Sequence, residues 1–469
     1  MLGLGKSENH INTACGQLEK RMHEKKESDQ EVAKLGAAPS VDQCEARLHR
    51  KHADVFEYQG RREEAIAAYR EAVRQGSTDD EVYWYNLAIA LEDVGCLIQA
   101  IQAYRKALGV NPDYLDARYN LGILLLDLGK PRKAERELRR AAQIDPEDVY
   151  NGYALGLALI DQERYQEAAA AIREGLRFAA ENADLHHALG IALRHLERFS
   201  ESESEFRTAI RLDPDSAVFH SNLGWLLSHD VHDRSEEGLI EYRTALSLDP
   251  HDPHTYDDFG DVLVELGRLD EAVSAYRDAI RLDPDNPAMY TDLASALQDA
   301  GRDEECAQAY EQAICLRTND YDMHYGLAWT YERLSKLDEA ASEYSEAARL
   351  EPDNWWPYFN LGNVLRNQEK YADAIESYRK AIQLNPRDEY TYFNLGLSLE
   401  SLGDLESAAE AYRKGITLAP EEAEPHYELG VLLRRTGRTQ EAREALEKAV
   451  ALGDEKIARA ARNELESMA

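Results

Sequence analysis

The chain has 469 residues, with 54 Lys plus Arg against 89 Asp plus Glu, a formal net charge of −35. That sign excludes a surface built to neutralise phosphates, so no nucleic-acid partner is expected, and a partner of basic character is favoured instead. No apolar run has transmembrane length, the first ten residues lack the order of an export signal, and the five cysteines show no metal or redox spacing. A cytoplasmic chain without membrane insertion or cofactors is therefore expected.

Residues 1–45 are charged and mixed, as in Glu19-Lys20-Arg21 and Glu24-Lys25-Lys26-Glu27, and read as an N-terminal extension, partly helical or disordered. Gly36-Ala37-Ala38-Pro39 reads as a linker, and Ser40 to Gln43 has the form of a capping box. At Ala46 a 34-residue unit begins and is then written over and over. Its copies start at Ala46, Glu81, Leu115, Val149, Ala183, Ala217, Pro253, Pro287, Tyr321, Trp355, Glu389 and Ala423, twelve in tandem over 46–456. The first step is one residue longer than the rest. The step after Ala217 is two longer, with the extra residues placed around Asp230 to Ser235, between two helices.

Within a copy, apolar residues recur at helical spacing in two runs, as in Tyr358, Leu361, Val364, Leu365 and then Ala374, Ile375, Tyr378, Ala381, Ile382. A turn separates the runs, with Gly95, Gly129, Gly267, Gly301, Gly403 and Gly437 in one phase. Small residues such as Gly362, Gly396, Ala374 and Ala408 recur where helices must approach closely, and Cys306 fills the alanine slot of its copy. Pro112, Pro146, Pro386 and their equivalents stop the second helix. At the far end, Ile457, Ala460, Ala461, Leu465 and Met468 form one apolar stripe, read as a C-terminal capping helix over 457–469.

The Tyr, Leu-Gly, Ala, Tyr and Pro of each copy resemble the pattern of the tetratricopeptide repeat family over about nine tenths of the chain. The resemblance implies an all-α solenoid, a right-handed superhelix of antiparallel helix pairs, and binding of proteins or peptides in its groove. It further implies that positions 2, 5, 6, 9, 12 and 13 of each copy face that groove. Position 5 carries Tyr85, Tyr119, Tyr153, Tyr325, Phe359, Phe393 and Tyr427, with polar residues, including Asp257, in the middle copies. Such rings offer large contact area at low entropic cost. Position 6 carries Asn86, Asn120, Asn222, Asn360 and Asn394, whose amides can both donate to and accept from a peptide main chain. This Asn series resembles the groove of the repeat domain attached to O-linked N-acetylglucosamine transferases, but no transferase domain follows it here.

A C-terminal carboxylate clamp of the kind that binds chaperones is not expected. Asn363 and Asn394 match two of its places, but Phe359, Glu424 and Glu428 stand where the family's clamp has cations. The acidic set Asp257, Asp258, Asp261 and Asp292 is expected to receive a basic segment. His195 and His229 share one slot in adjacent copies, and His232 follows in the lengthened loop, which raises a metal- or pH-responsive reading. No phosphate-binding glycine loop or nucleophile elbow is present, so no catalysis is expected. The functional expectation is a protein-interaction scaffold, with a substrate-recruiting adaptor of a separate enzyme as the alternative.

Overall fold

Neither apolar run of a copy can bury its face alone, so the two must pair, and the pairs must stack on their neighbours. The computed structural model describes residues 53, 56, 60–74, 80–231 and 234–468. Among the described residues it has twenty-four α-helices and no strand. The extension 1–45 with Cys15 and Cys44, the start of the first copy, and His232 lie outside the described residues.

The chain divides into two compact units, residues 1–250 and 251–469. In the first unit, α1 (Arg62–Arg74) precedes four regular pairs. These are α2 and α3 (Glu81–Asp93, Leu97–Val110), α4 and α5 (Leu115–Asp127, Pro131–Ile144), α6 and α7 (Val149–Ile160, Tyr165–Phe178), and α8 and α9 (Ala183–His195, Phe199–Leu212). A modified pair, α10 (Ala217–Trp225) and α11 (Ser235–Leu248), ends the unit. The second unit has six pairs: α12 and α13 (Pro253–Glu265, Leu269–Leu282), α14 and α15 (Pro287–Asp299, Asp303–Leu316), and α16 and α17 (Tyr321–Arg333, Leu337–Leu350) come first. Then follow α18 and α19 (Trp355–Asn367, Tyr371–Leu384), α20 and α21 (Glu389–Leu402, Leu405–Leu418), and α22 and α23 (Ala423–Arg435, Thr439–Leu452). Helix α24 (Glu455–Glu466) packs on the last pair through Ile457, Ala461, Leu465 and Met468. It begins two residues before the expected capping helix because the Asp454 carboxylate accepts from the Ile457 N–H and caps it.

The same chemistry recurs in most pairs. Asp80, Asp148, Asn182, Asp252, Asn286, Asp320, Asn354 and Asp388 each accept from an N–H two or three residues on, satisfying donors that the helix leaves open. The first helix closes on a left-handed residue. Gly129 (φ 63°) donates its N–H to Leu126, and Lys130 donates to Leu125, the crossed bonds of a Schellman ending. Four copies make this turn without glycine, at Glu163, Glu197, Ser335 and Glu369, with φ between 57° and 62°.

Packing inside a pair hangs on one contact. A Cβ on Gly362 would lie 2.6 Å from the ring of Tyr378, and one on Gly396 would lie 2.4 Å from that of Tyr412. Both rings are fully buried, so these glycines are seats for the second helix. Cys306 is likewise buried and fills the alanine slot.

The sixth copy departs from this scheme. Its first helix continues past Trp225 into a π-helical turn, Leu226–Asp230, so part of the two-residue insertion lies inside the helix and not only between helices as expected. Ser228 comes so close to the second helix that a Cβ on Gly238 would sit 2.0 Å from its Oγ, which explains glycine in an alanine slot.

Some acidic side chains serve the stacking of the pairs. Arg164 contacts Glu167 of its own helix pair at 2.7 Å and Glu135 of the preceding pair at 2.8 Å. Arg234 repeats this with Glu237 and Glu203, and Arg302 with Glu305 and Asp270. These ion pairs tie successive pairs together within each unit.

Candidate binding face

The first helix of each pair carries the predicted site residues, and the structure sorts them by how far they are already engaged. In the first unit, Tyr85 is only 5% exposed and packs against Tyr104 and Tyr114, at 6.0 and 5.2 Å between centroids. Its hydroxyl accepts from Asn120 Nδ2 at 3.1 Å. Tyr85 thus belongs to the packing and offers little ring surface to a ligand, contrary to the contact role expected of it. Tyr119 and Tyr153 are half-buried, and burial first, then nearby Asp148 and Asp184, raises their phenol pKa values. Asn222 donates to the Val218 carbonyl of its own helix at 2.9 Å. Asn86 has no side-chain hydrogen-bond partner among the described residues.

The second unit shows the same pairing of an amide with the preceding tyrosine. Asn360 Nδ2 donates to the Tyr325 hydroxyl at 2.7 Å, and Tyr325 stacks on Tyr321 at 5.6 Å. The Oδ1 of Asn363 accepts from the Tyr378 hydroxyl at 2.7 Å. Hence Asn120, Asn222, Asn360 and Asn363 are each partly spent within the fold, and the proposed ladder of free amides is reduced. Asn394 keeps its amide without a partner among the described residues. Phe359 and Phe393 are half-buried over Tyr378 and Tyr412, at 6.3 and 5.9 Å, while Tyr427 is half-buried beside Glu428.

The acidic set is brought together. Asp257, Asp258 and Asp261 lie on α12 and Asp292 on α14 of the same unit. Burial first, then Asp292, Asp261 and Asp258, pushes the Asp257 carboxyl up to about 8. Burial and then Asp261 push Asp292 up to about 6. From the neighbouring helix, the Tyr276 hydroxyl donates to Asp261 at 2.6 Å. The Oδ1 of Asp257 is buried without a partner, and no Lys or Arg pairs with Asp257, Asp261 or Asp292 among the described residues. These carboxyls are held together against their own repulsion.

The histidines resolve differently from the expectation. The His195 ring lies flat on Tyr165 at 4.3 Å, and that of His229 on Trp225 at 4.7 Å. His229 Nδ1 also lies 3.1 Å from the Trp225 carbonyl oxygen. No group of three metal-ligating side chains forms among the described residues. Burial lowers the His195 pKa, with Arg194 adding to it.

Sequence reading missed a second histidine register. His186, His220 and His324 occupy position 4, each with Nδ1 on a glutamate of the second helix (Glu205, Glu241, Glu343) at 2.5 to 2.7 Å. The other ring nitrogen reaches the carbonyl six residues back, in Ala180, Pro214 and Thr318. Arg118 makes the same bridge from Glu137 to Pro112. The signal was present in the sequence as a basic residue at position 4 with Glu about nineteen residues on, but it required reading two slots together. Also missed were Trp356 and Tyr390 at position 2 of consecutive copies, 48% and 56% exposed.

Among the described residues no helix is long and apolar enough to cross a membrane. A family model described as "TPR repeat" matches residues 260–301 and 362–403. Models described as "Tetratricopeptide repeat" match 50–95, 153–217, 307–354 and 393–457, then 97–155, then 343–376. No curated protein matches the chain. Similar solved structures include yeast Tom70, 19% identical over 90% of this chain and 96% of that one, with a TM-score of 0.35. YrrB, titled "a TPR protein with an unusual peptide-binding site", is 24% identical over 41% of this chain and 99% of that one, with a TM-score of 0.37. MamA from Desulfovibrio magneticus RS-1 is 23% identical over 35% of this chain and 94% of that one, with a TM-score of 0.34. At such identities and TM-scores none of these likenesses bears on function.

Proposed function

The chain belongs to the tetratricopeptide repeat family, whose arrays serve as protein-interaction scaffolds, and we propose that this one binds a protein segment of basic character on the first helices of its second unit. The observation that carries the reading is the uncompensated carboxyl group formed by Asp257, Asp261 and Asp292. Many other acidic side chains are answered by arginine, as Glu135 is by Arg139 and Arg164. Here they are left facing one another. A lysine or arginine from a partner supplies the missing charge, and its approach favours the ionised carboxylates that the free protein resists. Charge of this kind governs partner choice and encounter rate more than total affinity.

The test is calorimetric titration of a short lysine-rich peptide into the full chain, with a glutamate-rich peptide of equal length as control. Binding of the basic peptide alone, weakened about tenfold in an Asp257→Asn/Asp292→Asn variant, is expected. Equal binding by wild type and variant removes the reading. Crosslinked capture from the source lysate, compared between the same two proteins, then identifies the natural partner.

A further inference from the structure

Position 2 is polar or small in most copies of the second unit, where it holds His254, Ala288, Asp322 and Glu424. In α18 and α20 it is Trp356 and Tyr390, and both rings stand open to solvent. Trp356 is not loose. It stacks on Trp355 at 4.2 Å with 26° between planes and meets the edge of Phe359 at 6.1 Å. The fold therefore holds a flat aromatic surface in place while leaving one side unpacked, over a lower layer in which Phe359 and Phe393 rest on buried tyrosines. Exposed rings of this size at one position of consecutive copies are uncommon on a surface with no partner to meet.

One pair further on, at position 6 of α22, Glu428 stands where other copies have asparagine. It is half-buried, and burial, then Glu400 and Glu424, push its carboxyl up to about 7. Glu400 already accepts from Tyr412 and pairs with Arg435, whereas Glu428 has no cation among the described residues. On α20, four residues after Tyr390, stands Asn394, whose amide has no partner among the described residues. Three complementary features thus follow one another along α18, α20 and α22: an apolar face, a free amide and an unanswered carboxylate.

Resting on the scaffold reading above, we propose that these three helices recognise an extended polypeptide segment that sets a large apolar side chain on Trp356 and Tyr390, a main-chain amide on Asn394 and an arginine or lysine at Glu428. The occupant is fixed by charge. Glu421, Glu422 and Glu424 stand exposed at the start of α22, the helix that carries Glu428, so a segment whose apolar residue is flanked by acids is repelled. Spacing follows from chain geometry. First helices of adjacent pairs lie about 10 Å apart, and an extended chain advances about 3.3 Å per residue, so an apolar residue seated between α18 and α20 stands about one and a half steps, or about four to five residues, from the cation at α22.

The probes are synthetic peptides in a Gly-Ser background titrated into the full chain and read by calorimetry and tryptophan fluorescence. One carries Phe and Arg four or five apart, made in both orders; one carries Phe alone, one Arg alone, and one has Glu in place of Arg. The two-feature peptide in one order is expected to bind about tenfold tighter than either single-feature peptide, and the Glu peptide not to bind. Trp356→Ala should reduce its affinity to that of the Arg peptide, and Glu428→Gln to that of the Phe peptide. Both side chains are at the surface or its edge, and an unchanged circular dichroism melt confirms intact folding. Equal affinities for all peptides, no binding by any, or insensitivity to both substitutions overturns the proposal. A change of oligomeric state in Trp356→Ala without peptide binding overturns it in favour of a second copy of the chain as occupant. The Asp257→Asn/Asp292→Asn variant should bind the two-feature peptide as wild type does. If that variant loses lysine-rich peptide while the two-feature peptide never binds, this proposal fails and the acidic-centre reading stands.

Discussion

Replacing Glu197 with glycine should stabilise the first unit, although it deletes a charged side chain from a helix end. Glu197 sits at φ 57° as the left-handed residue of a Schellman ending, with its N–H on Arg194 and the N–H of Arg198 on Leu193. An L-residue pays about 1–2 kcal/mol to adopt that conformation. Glycine removes this cost but adds about 0.5–1 kcal/mol of unfolded-state entropy to overcome, so the net gain is about 0.5–1 kcal/mol. Glu197 makes no ion pair among the described residues that would offset the gain. Glu163→Gly in the preceding copy should give a similar increment, and the two together about 1–2 kcal/mol if they act independently. The reverse change, Gly129→Ala at φ 63°, should cost about 1 kcal/mol, since nothing crowds the new Cβ and only the backbone resists it. Urea unfolding followed by far-ultraviolet circular dichroism measures all three. If Gly129→Ala is destabilising and Glu197→Gly is neutral or worse, the conformational argument is wrong for this turn and the glutamate has an unrecognised role.

Gly396→Ala should destabilise by about 1–3 kcal/mol, because its Cβ would meet the fully buried Tyr412 ring at 2.4 Å and neither helix can yield freely; thermal melts against Gly109→Ala, which meets nothing, read this out. Arg118→Ala should cost about 2–3 kcal/mol by leaving Glu137 buried without its main partner, while Arg118→His should cost less than half as much, since histidine makes the same bridge in three other copies; urea unfolding of both variants checks the ratio. Asp257 and Asp292 have folded-state pKa values above the unfolded one, so only the unfolded chain ionises freely as pH rises from about 4, and the destabilisation is complete above about 8. Asp257→Asn should therefore gain stability over wild type at pH 8.5 and lose that gain near pH 4, as followed by melts across pH. By the same sign, lysine-rich peptide should bind more tightly as pH rises from about 6 to 8, with proton release detectable by calorimetry in buffers of different ionisation enthalpy.

The repeat made most of the fold legible, because the seats at Gly362 and Gly396 and the turns at Gly129 and Gly403 each demand one residue type and recur in phase. The π-helical turn of the sixth copy was not legible, since two extra residues fit equally well in a loop until the packing of Ser228 on Gly238 is known. The face was read less well. Aromatic and amide residues at positions 5 and 6 were correctly placed on first helices, but whether an Asn faces outward or spends its amide on the tyrosine of the preceding copy depends on the neighbouring pair. Asn360 and Asn394 are identical in sequence terms and differ because Tyr325 offers a hydroxyl to the first, whereas Phe359 offers none to the second. The bridges of His186, His220 and His324 escaped for the same reason, being contacts between helices that no single slot records.

The π-helical turn after Trp225 bears on how this array tolerates change in length. A residue added to a regular first helix would rotate everything after it by about 100° and pull the apolar stripe off its neighbour. Widening one turn takes up such a residue locally, and Leu223 before it and Leu226 and Leu227 within it remain buried. The cost is confined to the slot facing the bulge, where alanine has given way to Gly238. A compensated pair of positions thus acts as an expansion joint: chain can be added or removed there while the stacking frame before and after it stays in step.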